Sequence, residues 1–157
     1  MTEGTSPLGT CRGYTNPTVT QFSVFLENRV GRLLDLVKVL DDSPARICAL
    51  SVHEASDHAV VRVITSDAAD ARALLKRQQL AFMETDLLVV AMDKGHTLSS
   101  MCQHLLRAEL SIRFAYPLMP GVSGVPMIAL AVDDPTLASQ ILIRKEFRLL
   151  GEAELLG

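Results

Sequence analysis

The chain contains no tryptophan, two tyrosines and five phenylalanines, so aromatic residues make up only 4% of it. A sheet that reads RNA by stacking bases needs exposed rings and a basic surface, and a formal charge of -3 with no basic block supplies neither. Phe114 and Tyr116 therefore read as core or interface rings, and no nucleic-acid partner is expected. The longest apolar run, Leu87 to Met92, is far shorter than the roughly 20 residues a membrane helix requires. Met1 to Asn16 is polar and has no apolar leader core, so the expectation is a soluble, cytoplasmic chain. Cys11, Cys48 and Cys102 lie too far apart for a CxxC, which excludes both a zinc site and a disulfide framework on spacing and predicts reduced thiols. No Walker loop, dinucleotide fingerprint, HExxH or nucleophile elbow occurs, and no catalytic residue, metal or cofactor is expected. His53, Glu54, Asp57 and His58 cluster around one hairpin, but neighbouring strand residues diverge to opposite faces.

Apolar residues are plentiful, at 48% of 157 residues, which is enough for a core. Val19 to Leu26 alternates like a strand, Gly31 punctuates, and Leu33, Leu36, Val37 and Leu40 then form a helical stripe. Arg46 to His53 and Ala59 to Thr65 read as a hairpin around Ser56-Asp57. Asp67 is placed to cap a second helix carrying Ala71, Leu74 and Leu75, and Ala81 to Glu84 reads as a short closing strand. This order is βαββαβ, and it repeats. Adding 65 carries Leu33, Leu36, Leu40 and Ile47 onto Leu98, Met101, Leu105 and Ile112. Past the hairpin, adding 67 carries Val61, Val63, Asp67, Ala71 and Leu75 onto Ile128, Leu130, Asp134, Ala138 and Leu142. The predicted organisation is a polar tail over 1–18, a first module over 19–85 and a second, degenerate module over 86–157. Each module is expected to be an α+β, ferredoxin-like unit: an antiparallel sheet with both helices on one face. The other sheet face would carry Val, Leu and Ala, which predicts pairing of the modules or a homodimer.

The stretch SVFLENRVGRLLDLVKVL, Ser23 to Leu40, resembles the opening strand, loop and helix of ACT domains, with Asn28 and Gly31 matching the usual loop and Val30 standing where proline is common. RICALSVHEASDHAVVRVI, Arg46 to Ile64, is similar to the hairpin of small tandem ACT proteins, including Ser56-Asp57 and Arg62. The resemblance implies a regulatory protein, not an enzyme, that senses a free amino acid at an interface between modules. It also admits a second possibility, an obligate regulatory subunit partnering an enzyme such as acetohydroxyacid synthase.

The loop residues Asn28, Arg29, Val30, Gly31, Arg32 and Leu33 suit that role physically. A loop feeding a helix N-terminus offers N–H groups and a favourable dipole to a carboxylate; Gly31 lets the backbone approach, and Arg32 adds charge. Asn and Gly before a helix are also ordinary capping residues. The resemblance implies that the partner module completes the site through the start of its second strand, which pairs this loop with Ser111 and Ile112. The reciprocal site would join Asp93, Lys94, Gly95 and His96 to Arg46 and Ile47. His96 stands there in place of Gly31, which predicts one ligand per chain.

Overall fold

A computed structural model describes residues 16–27 and 29–156. Most of the expected tail, Cys11 and Asn28 lie outside the described residues. The elements run β1 (Val19–Glu27), α1 (Arg32–Asp41), β2 (Ile47–Ala55), β3 (His58–Thr65), α2 (Ala68–Arg77), β4 (Ala81–Ala91), α3 (Leu98–Arg107), β5 (Ile112–Pro117), β6 (Met127–Val132), α4 (Pro135–Arg144) and β7 (Arg148–Leu150), closed by a 3-10 turn at Glu152–Glu154.

All strand pairs are antiparallel, in the order β2-β3-β1-β4-β6-β5, with β7 on β4. The expected short strand at Ala81 to Glu84 is instead an eleven-residue strand that both halves of the fold share. Its first part, from Ala81 to Leu87, pairs with β1, and Leu88 to Ala91 pairs with β6 and β7. The cause is the run Leu87 to Ala91, buried at every position. Such a run alternates between two covered faces, as a central strand must. Each half is thus a four-stranded sheet with two helices on one face, the α+β double ferredoxin-like fold.

The repeat is visible in the packing. In the first half, Phe22, Val24 and Val63 lie beneath Leu36 and Leu40 of α1 and Ala71 and Leu75 of α2. In the second, Leu88, Val90 and Leu130 lie beneath Met101, Leu105, Ala138 and Leu142. Asp67 and Asp134 cap their helices alike, each carboxylate accepting from the backbone N–H three residues on, Asp70 and Leu137. Leu33 and Leu98, at the head of each stripe, stay exposed because they precede the part of the helix that lies over the sheet. Cys48 is buried, whereas Cys102 is exposed on α3.

A third cluster joins the helix-free faces of the two sheets. Val19, Ala49 and Ile64 from the first meet Val89, Met127, Ala129 and Leu150 from the second. Alanines on both faces let the sheets approach, and each fully buried Val, Ile or Leu contributes about 1.5–3 kcal/mol. Polar contacts also join the two halves: the Tyr116 hydroxyl donates to Gln21 Oε1 at 2.6 Å, with Gln21 1% exposed, the Met119 N–H donates to the Cys48 carbonyl at 2.8 Å, and the Ala68 N–H donates to Glu152 Oε1 at 2.6 Å. Burial raises the Tyr116 phenol well above its ordinary range, and nearby Arg62 partly opposes this. The covering is incomplete, since Phe25 and Met83 at the far end of the same face remain exposed.

Candidate functional site

The β1–α1 loop turns at Gly31, whose φ of 88° lies in the left-handed region that favours glycine. A Cβ built there would meet nothing within 4 Å among the described residues, which leave the space above the loop open. Glu27, at the end of β1, pairs with Arg29 Nε at 3.0 Å and Arg32 Nη2 at 3.6 Å. Val30 is fully solvent-facing and Leu33 is partly exposed, so neither forms an enclosed wall.

Beside this loop lies a groove of about 420 Å³, within the range of small-molecule sites. Its floor is Leu26, Leu36, Val39 and Leu80, and its rim carries Glu27, Arg32 and Asp35 on one side and Gln78 and Gln79 on the other. The α2–β4 turn forms that second side, with Gln79 at a φ of 56°. Gln78, Gln79 and Leu80 were not among the residues the sequence pointed to. The repeat held one signal, because adding 67 carries Gln79 onto Glu146, whose φ of 66° is also left-handed.

Ser111 and Ile112 do not join this groove within the chain. Ser111 exchanges hydrogen bonds with Asp133, its N–H donating to Oδ1 at 3.1 Å and its carbonyl accepting at 3.2 Å. Ile112 pairs with Val132 and lines a separate hollow with Cys102 and Leu106. Extending the pairs Phe25–Ala81 and Leu88–Leu130 sets Glu27 and Val132 about seven residues apart along β4, roughly 23 Å at strand rise.

The second loop is closed by its own contacts. His96 stacks on Phe147 with ring centroids 3.9 Å apart, and its Nε2 lies 3.0 Å from the Glu146 carbonyl. Asp93 accepts from Arg148 Nε and Nη2 at 3.0 and 2.9 Å, and its buried Oδ1 has no partner among the described residues. Lys94 and Gly95 turn the chain with φ of 54° and 77°. Strand register fixes the correspondence here: Val24 faces Val61 and Val90 faces Ile128. Asp93 therefore occupies the place of Glu27 rather than that of Asn28, and the second loop is one residue shorter. Arg46 and Ile47 sit elsewhere, on a hollow with Val37, Leu50 and Met119. The Arg46 backbone is tied to Ser66 through both its N–H and its carbonyl.

Some charged and polar groups outside the groove pair locally. Arg72 holds Glu84 through two Nε contacts of 2.9 and 3.0 Å, which keeps that carboxyl below its usual value. Ser51 Oγ lies 2.8 Å from His53 Nε2, with Arg62 also against that ring nitrogen and over the Phe114 ring at 3.9 Å. Among the described residues no group of three or more His, Cys, Asp or Glu side chains is arranged to hold a metal, and no helix is long and apolar enough to cross a membrane.

Two repeated βαββαβ units back to back, one with an open groove at a helix N-terminus, define a paired α+β domain with room for a small molecule. The chain belongs to the ACT domain pair family, whose model matches residues 17–157. A solved structure of protein BT0572 from Bacteroides thetaiotaomicron is similar, with a TM-score of 0.80 at 25% identity over 90% of this chain and 97% of that one. The regulatory subunit of aspartate kinase from Thermus thermophilus, in its ligand-free form, gives a TM-score of 0.55 at 8% identity over 83% and 93% of the two chains. That subunit from Thermus flavus gives 0.54 at 12% identity over 83% and 90%. No curated protein matches the chain.

Proposed function

We propose that the chain is a regulatory protein that senses a free amino acid at the loop 28–33. The observation that carries this reading is the open groove beside Gly31, where Arg32, Glu27 and Asp35 stand over an apolar floor. A zwitterion needs a cation for its carboxylate, an anion for its ammonium and an apolar surface for its side chain. All three lie on this rim and floor. Ser111 and Ile112 complete such a site only from a neighbouring copy, given their separation along β4, and we retain them in that form.

The proposed division runs 19–85 and 86–157, with the boundary inside the shared strand β4. A ligand that grips α1 against the α2–β4 turn acts at one end of β4, and this strand is rigidly paired into both sheets. Differential binding to two arrangements of the modules, or to a homodimer formed over Phe25 and Met83, would shift their populations. A second reading uses the same uncovered apolar face to dock on a catalytic chain, as a regulatory subunit of an amino-acid biosynthetic enzyme such as acetohydroxyacid synthase. Copurification of a large enzyme in fixed stoichiometry favours that reading, and an isolated dimer favours the first.

The experiment is a thermal-shift screen of the full chain against the twenty amino acids. One of them should raise the melting temperature, with stabilisation of about 2.7 kcal/mol at a hundredfold excess over Kd. No shift with any of them removes the sensing proposal.

A further inference from the structure

We propose that the first-module groove holds the ring of a free imidazole-bearing amino acid, histidine, in the place that the second module fills with its own His96. This rests on the amino-acid-sensing reading above and names the ligand. The two halves act as each other's control. Adding 65 in the first helix and 67 past the hairpin carries Gly31, Val39 and Leu80 onto His96, His104 and Phe147. Two aliphatic residues that line the open groove and the glycine that precedes its helix become three rings in the second half, and those rings pack together. His96 stacks on Phe147 at 3.9 Å with an interplanar angle of 23°, and His104 meets the same ring edge-on at 6.1 Å. The corresponding region of the first module is the open groove.

The second module also gives the hydrogen bond. The Glu146 carbonyl can only accept, so the His96 Nε2 lying 3.0 Å from it is the donor. Gln79 occupies the equivalent place and shares its left-handed φ, and in the proposal its carbonyl accepts from the ligand's ring N–H. The flanking charges fit the difference between a tethered ring and a free one. Arg32 and Asp35, on the rim of the open groove, become Thr97 and Ser100 in the second module. A covalently attached His96 has no free carboxylate or ammonium to satisfy, whereas a diffusing histidine has both. In the proposed complex Arg32 takes the carboxylate, Asp35 takes the ammonium, Leu80 and Val39 flank the ring, and the Gln79 carbonyl accepts from its N–H.

The test is calorimetry on the full chain with L-histidine, L-tryptophan, L-phenylalanine and L-leucine as probes. The expected result is one histidine per chain, bound at least about tenfold more tightly than the other three, a gap of about 1.4 kcal/mol. The variant Gly31→His, which tethers an imidazole as His96 does in the second module, should lose free histidine while keeping its circular dichroism and cooperative unfolding. Should that variant not fold, Arg32→Ala, which removes the cation for the carboxylate, should weaken histidine by at least about tenfold. Tighter binding of leucine, phenylalanine or tryptophan overturns the proposal, as does histidine binding unchanged by these variants. If an amino acid other than histidine binds and is lost on Arg32→Ala, the sensing reading stands and the histidine assignment falls. If none of the twenty binds, both fall.

Discussion

Replacing Gly31 with alanine separates backbone strain from steric blocking, because the structure removes one of the two. The φ of 88° lies where an L-residue pays for its Cβ, and the added Cβ meets no heavy atom of the described residues within 4 Å. Left-handed placement of a non-glycine residue costs roughly 1–2 kcal/mol. The reduced freedom of the unfolded chain returns up to about 1 kcal/mol of that. Gly31→Ala should therefore destabilise by about 1 kcal/mol, which for a chain of this size lowers the melting temperature by about 2–4 °C. Gly31→Asn, whose side chain tolerates this region better, should cost less. Urea titrations of all three proteins provide the assay, with a lower midpoint and an unchanged slope expected for Gly31→Ala. A loss above about 3 kcal/mol, beyond the strain estimate, would mean that Gly31 is packed against something. No loss at all would mean that the turn is not left-handed. Gly31→Val adds bulk over the loop and should weaken ligand binding beyond the change in stability.

Tyr116→Phe removes the donor to a buried Gln21 side chain and should cost about 1–3 kcal/mol in denaturant titrations; an unchanged midpoint would show that water replaces the hydroxyl. Asp67→Ala and Asp134→Ala each remove one N-cap and should each cost about 1 kcal/mol, with the two losses adding in the double variant because the sites share no partner. The Cys48 thiol is raised chiefly by burial and secondarily by Glu152, whereas Cys102 is exposed. Peptide mapping after iodoacetamide treatment at mildly alkaline pH should therefore find Cys102 alkylated well ahead of Cys48. Because the folded thiol titrates higher than the unfolded one, its contribution is complete below the unfolded value. It declines as pH rises past about 8.5, and a Cys48→Ala chain should show less of that alkaline decline.

The architecture was legible because both helices of each half carry the same buried positions. Leu36 and Leu40 recur as Met101 and Leu105, and Ala71 and Leu75 as Ala138 and Leu142. The two Asp caps mark equivalent starts. The shared strand was not legible, since Leu87 to Ala91 is uniformly apolar and has no period-two alternation to fix where one sheet ends or which residue faces which side. That same uniformity hid the one-residue difference between the loops. Gly31 and Arg32 stood out as a loop before a helix, and Arg32 borders the groove. Its other wall, Gln78 to Leu80, is an ordinary polar turn in sequence. Only the left-handed backbone at Gln79 and its counterpart Glu146 reveals it. The separation of Ser111 from the loop follows from strand register, which local patterns do not encode.

The central claim is that a free amino acid enters the first module and leaves the second module's counterpart closed. Backbone amide chemical shifts of the isotopically labelled full chain, followed during titration with L-histidine, test it most directly. The account predicts saturable shifts confined to Gly31 to Leu36 and Gln78 to Ala81, with the amides of Asp93 to Thr97 and Lys145 to Phe147 unmoved. Shifts centred on His96 and Phe147, or none at the Gly31 loop at saturating ligand, would contradict it.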